Sequence, residues 1–327
     1  MAQAFWVVSP GCGELRPETL PDVREGQVRV RSLFGGISRG TERLVFHGRV
    51  PVSQHDAMRC PHQAGEFSLP VKYGYIAVGV IEAPEDRRGE QVFLLHPHQT
   101  SMVVSEQDVV ALPAGLDPAL AVLAPNMETA VNAVWDARAA SGTAATVIGA
   151  GVVGLLVAWR LQQQGVEVEL VDINPRRRSV AAQLGLGLVS PDEASRERSL
   201  VVHASGSEAG LCSALEIAAT EGTILELSWY GDRRVSLPLG AHFHAKRLTI
   251  QSSQVGTVSP GAPEGTTHRM RMSETLDVLA RHPELGILIT SESSFQDLPA
   301  TMVRVTSPES DVLCHRIRYT GDSSCSD

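Results

Sequence analysis

Residues 144–172 read AATVIGAGVVGLLVAWRLQQQGVEVELVD. An apolar run (Thr146, Val147, Ile148) meets Gly149-x-Gly151-x-x-Gly154. A helix-patterned stretch follows, then a second apolar run ending on Asp172. The order is strand, glycine turn, helix, strand, acid. The turn needs glycine for its backbone angles, and a side chain there would hold a pyrophosphate off the backbone amides. Those amides, at the positive end of a helix dipole, favour phosphate. Asp172 falls where an acid accepts hydrogen bonds from both hydroxyls of an adenosine ribose. The stretch predicts a dinucleotide site built from Gly149, Gly151, Val152, Val153, Gly154, Asp172 and Ile173. The plainer alternative is a glycine-rich turn in another kind of α/β domain.

Two cofactors stay open. Asp172 repels a 2′-phosphate, which favours NAD. Arg176, Arg177 and Arg178 follow closely and can receive that phosphate, which would admit NADP.

On either side of this unit the texture differs. Residues 1–118 carry short strand-like runs (27–31, 76–81, 91–95, 102–104) between Pro and Gly clusters, which predicts an irregular, mostly antiparallel β domain. A helical stretch, 118–140, leads into the glycine turn. Strand-like runs at 146–148, 168–171, 200–203, 223–227 and 248–251 then alternate with helical pattern, which predicts a doubly wound parallel sheet. A Gly/Pro/Ser-rich loop spans 253–267. Helical pattern resumes over 268–281 with Met270, Leu276 and Leu279 as inward positions. Strand and turn character returns after 289 and includes 312–317, and the tail 321–327 is expected to be loose. The boundaries are 1–118, 119–289 and 290–327.

The 327 residues suit two domains, and 43% apolar against 20% charged residues suits a full core. A net charge of −9 argues against nucleic acid or an anionic membrane as the main partner. No apolar run reaches about 18 residues, and the start lacks a basic, apolar leader, so neither a membrane span nor a signal peptide is expected. The five cysteines are scattered and form no CxxC pair, which fits reduced thiols in a cytoplasmic protein.

A β domain, a Rossmann unit and a short return segment resemble the medium-chain dehydrogenase/reductase superfamily, of the alcohol dehydrogenase type with a GroES-like catalytic domain. The stretches 36–42 (GISRGTE), 72–79 (KYGYIAVG), 127–130 (META), 171–174 (VDIN) and 289–298 carry the likeness. GISRGTE also resembles the bacteriochlorophyllide a dehydrogenase-like branch. The resemblance implies an NAD(P)-dependent enzyme acting on CH–OH or C=O, and a homodimer joined near 258–263 and 285–289.

The chain departs from the zinc-dependent members of that family. The positions of their zinc ligands hold Ser38, Tyr75, Ile76 and, near the joining helix, Pro125 or Asn126, with Glu128 close by. Residues 93–104 (FLLHPHQTSMVV) lack the cysteines of their structural zinc lobe. A catalytic zinc wants three soft or borderline protein ligands and an open position. No zinc is therefore expected. The rival is a rearranged metal site drawn from His47, His55, His62, His96 and His98, although an x-His-x-His strand more often has one histidine buried and one wet.

Without a metal, hydroxyls must serve the substrate oxygen while the nicotinamide carries the hydride. Thr41 or its rival Ser38 takes the place of the family's proton relay. Tyr75 stands at a lost ligand position and can donate to a carbonyl oxygen, with Lys72 near enough to lower its pKa. Each also has a plain structural reading: Tyr75 as pocket wall, Thr41 as a turn hydroxyl. Glu42 either orients the loop or pairs with Arg39 or Arg43. Glu128 is either a buried acid or a structural acceptor. By resemblance Arg39 contacts the pyrophosphate. The carboxyl ends of the strands add Ala204, Ser205, Ser228, Trp229 and Ser253, and Arg177 joins them beyond Asp172. The expected activity is zinc-independent interconversion of an alcohol and a carbonyl on a small or medium organic substrate. The alternatives are reduction of an activated C=C bond, as in enoyl or quinone reductases, and a cofactor-binding protein with little turnover.

Overall fold

The computed structural model describes residues 2–319, so the tail expected to be loose lies outside the described residues. The chain forms two compact units, 1–125 with 276–327, and 126–275. The first unit resumes at Leu276, earlier than position 290, because the second half of a helix is counted with it.

In the first unit, β1 (Ala2–Ser9), β2 (Cys12–Glu18) and β3 (Gln27–Ile37) lead into helix α1 (Arg39–Phe46). Then come β4 (Ala64–Gly65), β5 (Val71–Lys72), β6 (Ala77–Ala83), β7 (Gln91–Leu94), β8 (Ser101–Ser105) and β9 (Val110–Ala111). β3 shows why these residues make strands. Val28 and Val30 are fully buried while Arg29 and Arg31 alternate outward, the period-2 pattern of a half-buried strand. The antiparallel pairs β3–β6, β6–β7 and β3–β8 enclose a core of Val28, Val30, Ile81, Val92, Leu94 and Met102. The hairpin β1–β2 went unread in the sequence.

The second unit takes in most of α2 (Ala124–Ala137), then β10 (Ala144–Ile148), α3 (Val152–Gln163), β11 (Glu167–Val171), α4 (Arg177–Gln183) and β12 (Gly187–Val189). It continues through β13 (Arg198–His203), α5 (Glu208–Ile217), β14 (Ala218–Glu226), β15 (Thr249–Ser252) and the start of α6 (His268–Arg281). The six strands are parallel in the order β12-β11-β10-β13-β14-β15. This is the doubly wound dinucleotide-binding order, whose ligand crevice lies beyond the strand carboxyl ends at the β10/β13 switch point. β10 is buried from Ala145 to Ile148, as a strand covered on both faces must be.

α6 has the expected bounds but not the expected inward face. Leu276 and Leu279 are fully buried, whereas Met270 is 55% exposed and Met272 is buried instead. The inward stripe therefore starts at Arg271-Met272, one position later.

The chain returns through β16 (Ile289–Ser294), α7 (Leu298–Thr306) and β17 (Cys314–Arg318), which pairs with β3. The segments expected to join two copies are not strands of the parallel sheet. Residues 258–263 are loop, and 285–289 lead into β16 of the other sheet. The parallel sheet ends on β12 and β15. Among the described residues, no helix is long and apolar enough to cross a membrane.

Candidate active site

The glycine turn joins β10 to α3. Gly149 has φ +108°, and a Cβ there would lie 2.6 Å from the Ser205 amide nitrogen. A Cβ on Gly154 would lie 1.8 Å from the Gly149 carbonyl oxygen, so this glycine lets the helix close onto the strand. A Cβ on Gly151 would meet nothing within 4 Å. The three glycines thus divide the work: one for turn angle, one for packing, and one that keeps open space in front of the helix amides. Asp172 directly follows β11 and grips the same turn. One carboxylate oxygen accepts from the Ala150 amide at 2.6 Å, the other from the Asn174 amide at 2.7 Å. Each oxygen keeps a further lone pair for a ribose hydroxyl. Ile173 beside it is 87% exposed, an apolar surface for an adenine ring. The donors, the acceptor and the open space all fit a nicotinamide dinucleotide.

Of the three arginines, Arg177 is buried and Arg178 stands 3.6 Å from Glu193. At the next two strand ends, His203 and Glu226 are adjacent in register and bonded at 2.7 Å. His203 also meets the Ser205 hydroxyl at 2.6 Å. The Ser228 hydroxyl accepts from the Gly206 amide, and the Ser253 hydroxyl donates to Asp136 at 2.6 Å. Ala204 and Trp229 are half-buried.

The first unit gathers hydroxyls. The Ser38 and Thr41 side chains lie beside the Tyr75 phenol and partly offset the rise in its pKa. Beneath them Glu42, nearly fully buried, accepts from the Ser38 amide at 2.8 Å and meets His98 Nε2 at 2.7 Å. Glu42 thus orients the loop and pairs with His98, not with Arg39 or Arg43. Burial, then the negative charge of Glu42, pushes the Tyr75 phenol well above its ordinary value. The expected help from Lys72 is absent, because its ammonium is held by Glu18 at 3.0 Å and Gln99 at 2.9 Å. Tyr75 therefore stays protonated. Arg39 donates to the Ser307 carbonyl at 3.4 Å.

Glu128 lies in the second unit, where Arg271 Nε donates to it at 3.1 Å. Burial raises its carboxyl, and the Arg271 charge lowers it in part. The Arg271 bond fits the reading of Glu128 as a structural acceptor.

Of the histidines considered for a metal, His62 stacks on His96 with ring centroids 5.1 Å apart and meets Asp108 at 3.2 Å. His96 and His98 are both buried, contrary to the expected one-wet pattern. His96 bonds the Pro97 carbonyl oxygen and is lowered to about 3 by burial. His47 meets Thr306, and His55 meets the Val50 carbonyl. Among the described residues, no group of three or more His, Cys, Asp or Glu is placed to hold a metal ion. The hydroxyls of Ser38 and Tyr75, with Ile76, are a poor donor set for zinc.

Residues 147–177 match the model of the NAD(P)-binding Rossmann-like domain. The solved structure of L-idonate 5-dehydrogenase from Escherichia coli str. K-12 substr. MG1655 superposes with a TM-score of 0.78. The match covers 97% of this chain and 98% of that one at 15% identity. The chain shares the fold of this solved dehydrogenase and of 2R,3R-butanediol dehydrogenase from Bacillus subtilis, which superposes with a TM-score of 0.75 at 16% identity. L-galactonate-5-dehydrogenase of Escherichia coli (strain K12) is 29% identical over 168 residues, 47% of this chain and 48% of that protein. An uncharacterized zinc-type alcohol dehydrogenase-like protein of Haemophilus influenzae (strain ATCC 51907 / DSM 11121 / KW20 / Rd) is 26% identical over 227 residues, 65% and 59% of the two chains. The chain spans about half the length of the curated relatives it matches.

Sequence reasoning missed the Glu42–His98 pair, the His203–Glu226 pair and Arg271. The second had a signal: both residues close adjacent apolar runs.

Proposed function

We propose that the chain is a zinc-independent, NAD(H)-dependent oxidoreductase that interconverts an alcohol and a carbonyl on a small or medium organic substrate. The bound nicotinamide supplies or takes up the hydride. The amides after Gly149 and Gly151 hold its pyrophosphate, Asp172 its adenosine ribose and Ile173 its adenine. Asp172 repels a 2′-phosphate, and the buried Arg177 is poorly set to receive one, so NAD is preferred. Arg39 is proposed as a further pyrophosphate contact.

The observation that carries the chemistry is the Tyr75 phenol beside the Ser38 and Thr41 side chains, in the unit that also holds the buried Glu42–His98 pair. Tyr75 gives its proton to the carbonyl oxygen during reduction and takes it back during oxidation. Ser38 and Thr41 hold the phenol and pass the proton onward. These hydroxyls do for oxygen what zinc does in the zinc-type relatives. The zinc-type relative argues the other way by name, while the donor set argues for this reading.

The chain is further proposed to be cytoplasmic and to form a homodimer through the β15 edge, which has no strand beyond it among the described residues. Membership of the bacteriochlorophyllide a dehydrogenase-like branch is proposed on the likeness of the GISRGTE loop alone.

The test is a panel of ketones and aldehydes incubated with NADH, followed by reduced-nicotinamide absorbance. Turnover is expected with at least one carbonyl. Tyr75→Phe is expected to lower kcat/KM roughly 100-fold or more while NADH binding holds. Because the phenol is pushed up, no limb of the pH–rate profile near neutrality should belong to Tyr75. Full activity in Tyr75→Phe would remove the proposed proton donor.

A further inference from the structure

The ends of β13 and β14 carry a hydrogen-bonded constellation that includes Ser205 and Ser228, two of the expected cofactor contacts. The Glu226 carboxylate accepts from the Ser228 amide at 2.7 Å and from the Tyr230 hydroxyl at 3.1 Å. It also lies 2.7 Å from His203 Nδ1. A carboxylate only accepts, so Nδ1 carries the imidazole proton and Nε2 is left as the acceptor. Nε2 lies 2.6 Å from Ser205 Oγ, which therefore donates to it. Ser205 Oγ in turn accepts from the Ser207 hydroxyl at 2.8 Å, and Ser207 Oγ accepts from the Gly210 amide at 3.0 Å. Every proton in the chain then has one direction, from Ser207 through Ser205 and His203 to Glu226.

Acid, imidazole and hydroxyl in this order are the elements of an activated serine. The His203 side chain is fully buried, so the base is fixed, while Ser205 is an exposed residue. Ser207 caps the ten-residue helix α5, whose first-turn amides lack intrahelical acceptors and whose dipole favours an oxyanion. We propose that Ser205 is a nucleophile in a Glu226–His203–Ser205 relay, able to take the acyl group of an activated carboxylic ester. Ser205 Oγ bonds to the ester carbonyl carbon as its proton passes to His203 Nε2. The ester C–O bond breaks and the imidazolium returns that proton to the departing alkoxide. Water then attacks the acyl-serine by the same route, releasing the carboxylic acid and free Ser205.

The full chain, free of added cofactor, is treated with a fluorophosphonate probe and, separately, with p-nitrophenyl acetate. One adduct mapping to Ser205 by peptide mass, together with release of p-nitrophenol, is expected. Ser205→Ala, at an exposed position, should abolish both. His203→Gln and Glu226→Gln, each checked for native circular dichroism, should slow labelling about 100-fold and at least about tenfold respectively. Wild-type protein with no adduct at Ser205 would overturn the proposal. So would an unchanged labelling rate in whichever folded relay variant is obtained.

Discussion

A Gly151→Val chain is expected to fold normally and to lose NADH. The position is open, since a Cβ there meets no atom within 4 Å, and its backbone is extended at φ −74°, which valine adopts readily. The added methyls would stand where the pyrophosphate must approach the amides at the start of α3. Separating those charges from their donors should weaken NADH binding roughly 100-fold, about 3 kcal/mol. Gly154→Ala, three residues on, should do the reverse. Its Cβ would press to 1.8 Å from the Gly149 carbonyl oxygen, so helix and strand must part, at roughly 3 kcal/mol of stability or more. Fluorescence titration with NADH and thermal unfolding separate the two signatures. Normal NADH affinity in a folded Gly151→Val chain would show that the pyrophosphate does not lie on this turn.

Arg271→Met should cause a large loss of stability. Arg271 is 1% exposed and satisfies four acceptors: Glu128, Asn132 Oδ1 at 2.5 Å, and the carbonyls of Val255 and Thr257. It ties α2 and α6 to the 253–267 loop. Methionine fills part of the volume but leaves a buried carboxylate and two carbonyls unpaired, a cost of about 3–5 kcal/mol. For a chain of this size that is a fall of roughly 10 °C in Tm. The pH dependence has a definite sign. The Glu128 pKa is already raised in the folded protein, and removing Arg271 removes a cause that lowers it, so it rises further. Where a folded carboxyl lies above its unfolded value of 4.5, the native state holds the extra proton. Stability is then greatest below 4.5 and falls as pH rises toward the folded value. The deficit of Arg271→Met relative to wild type should therefore be smallest in acid and widen toward neutrality. A deficit independent of pH would mean that Glu128 is not the group left uncompensated.

What could be read in the sequence was local. The Gly149–Gly154 turn and Asp172 showed because each glycine answers a backbone demand within a few residues, and the apolar runs gave five of the six parallel strands. The short β12 did not show, since Gly187–Val189 is too brief for a pattern. Non-local pairings were hidden. Glu42 and His98 are 56 residues apart and meet only because α1 and the segment after β7 are folded together. Lys72 looked like a neighbour of Tyr75 along the chain, but alternation along the backbone sends its ammonium to Glu18 instead. Met270 was assigned inward by a helical count that began one residue early. The true stripe opens with a charged residue, Arg271, which a purely apolar template passes over.

Turnover of metal-depleted protein tests the central claim most directly. The chain is exhaustively chelated, its zinc measured, and carbonyl-dependent NADH oxidation followed. Undiminished turnover at negligible zinc is expected, because the Tyr75 hydroxyl cluster serves the substrate oxygen. One tightly bound zinc per chain, with activity lost on its removal and regained on its return, would contradict the account.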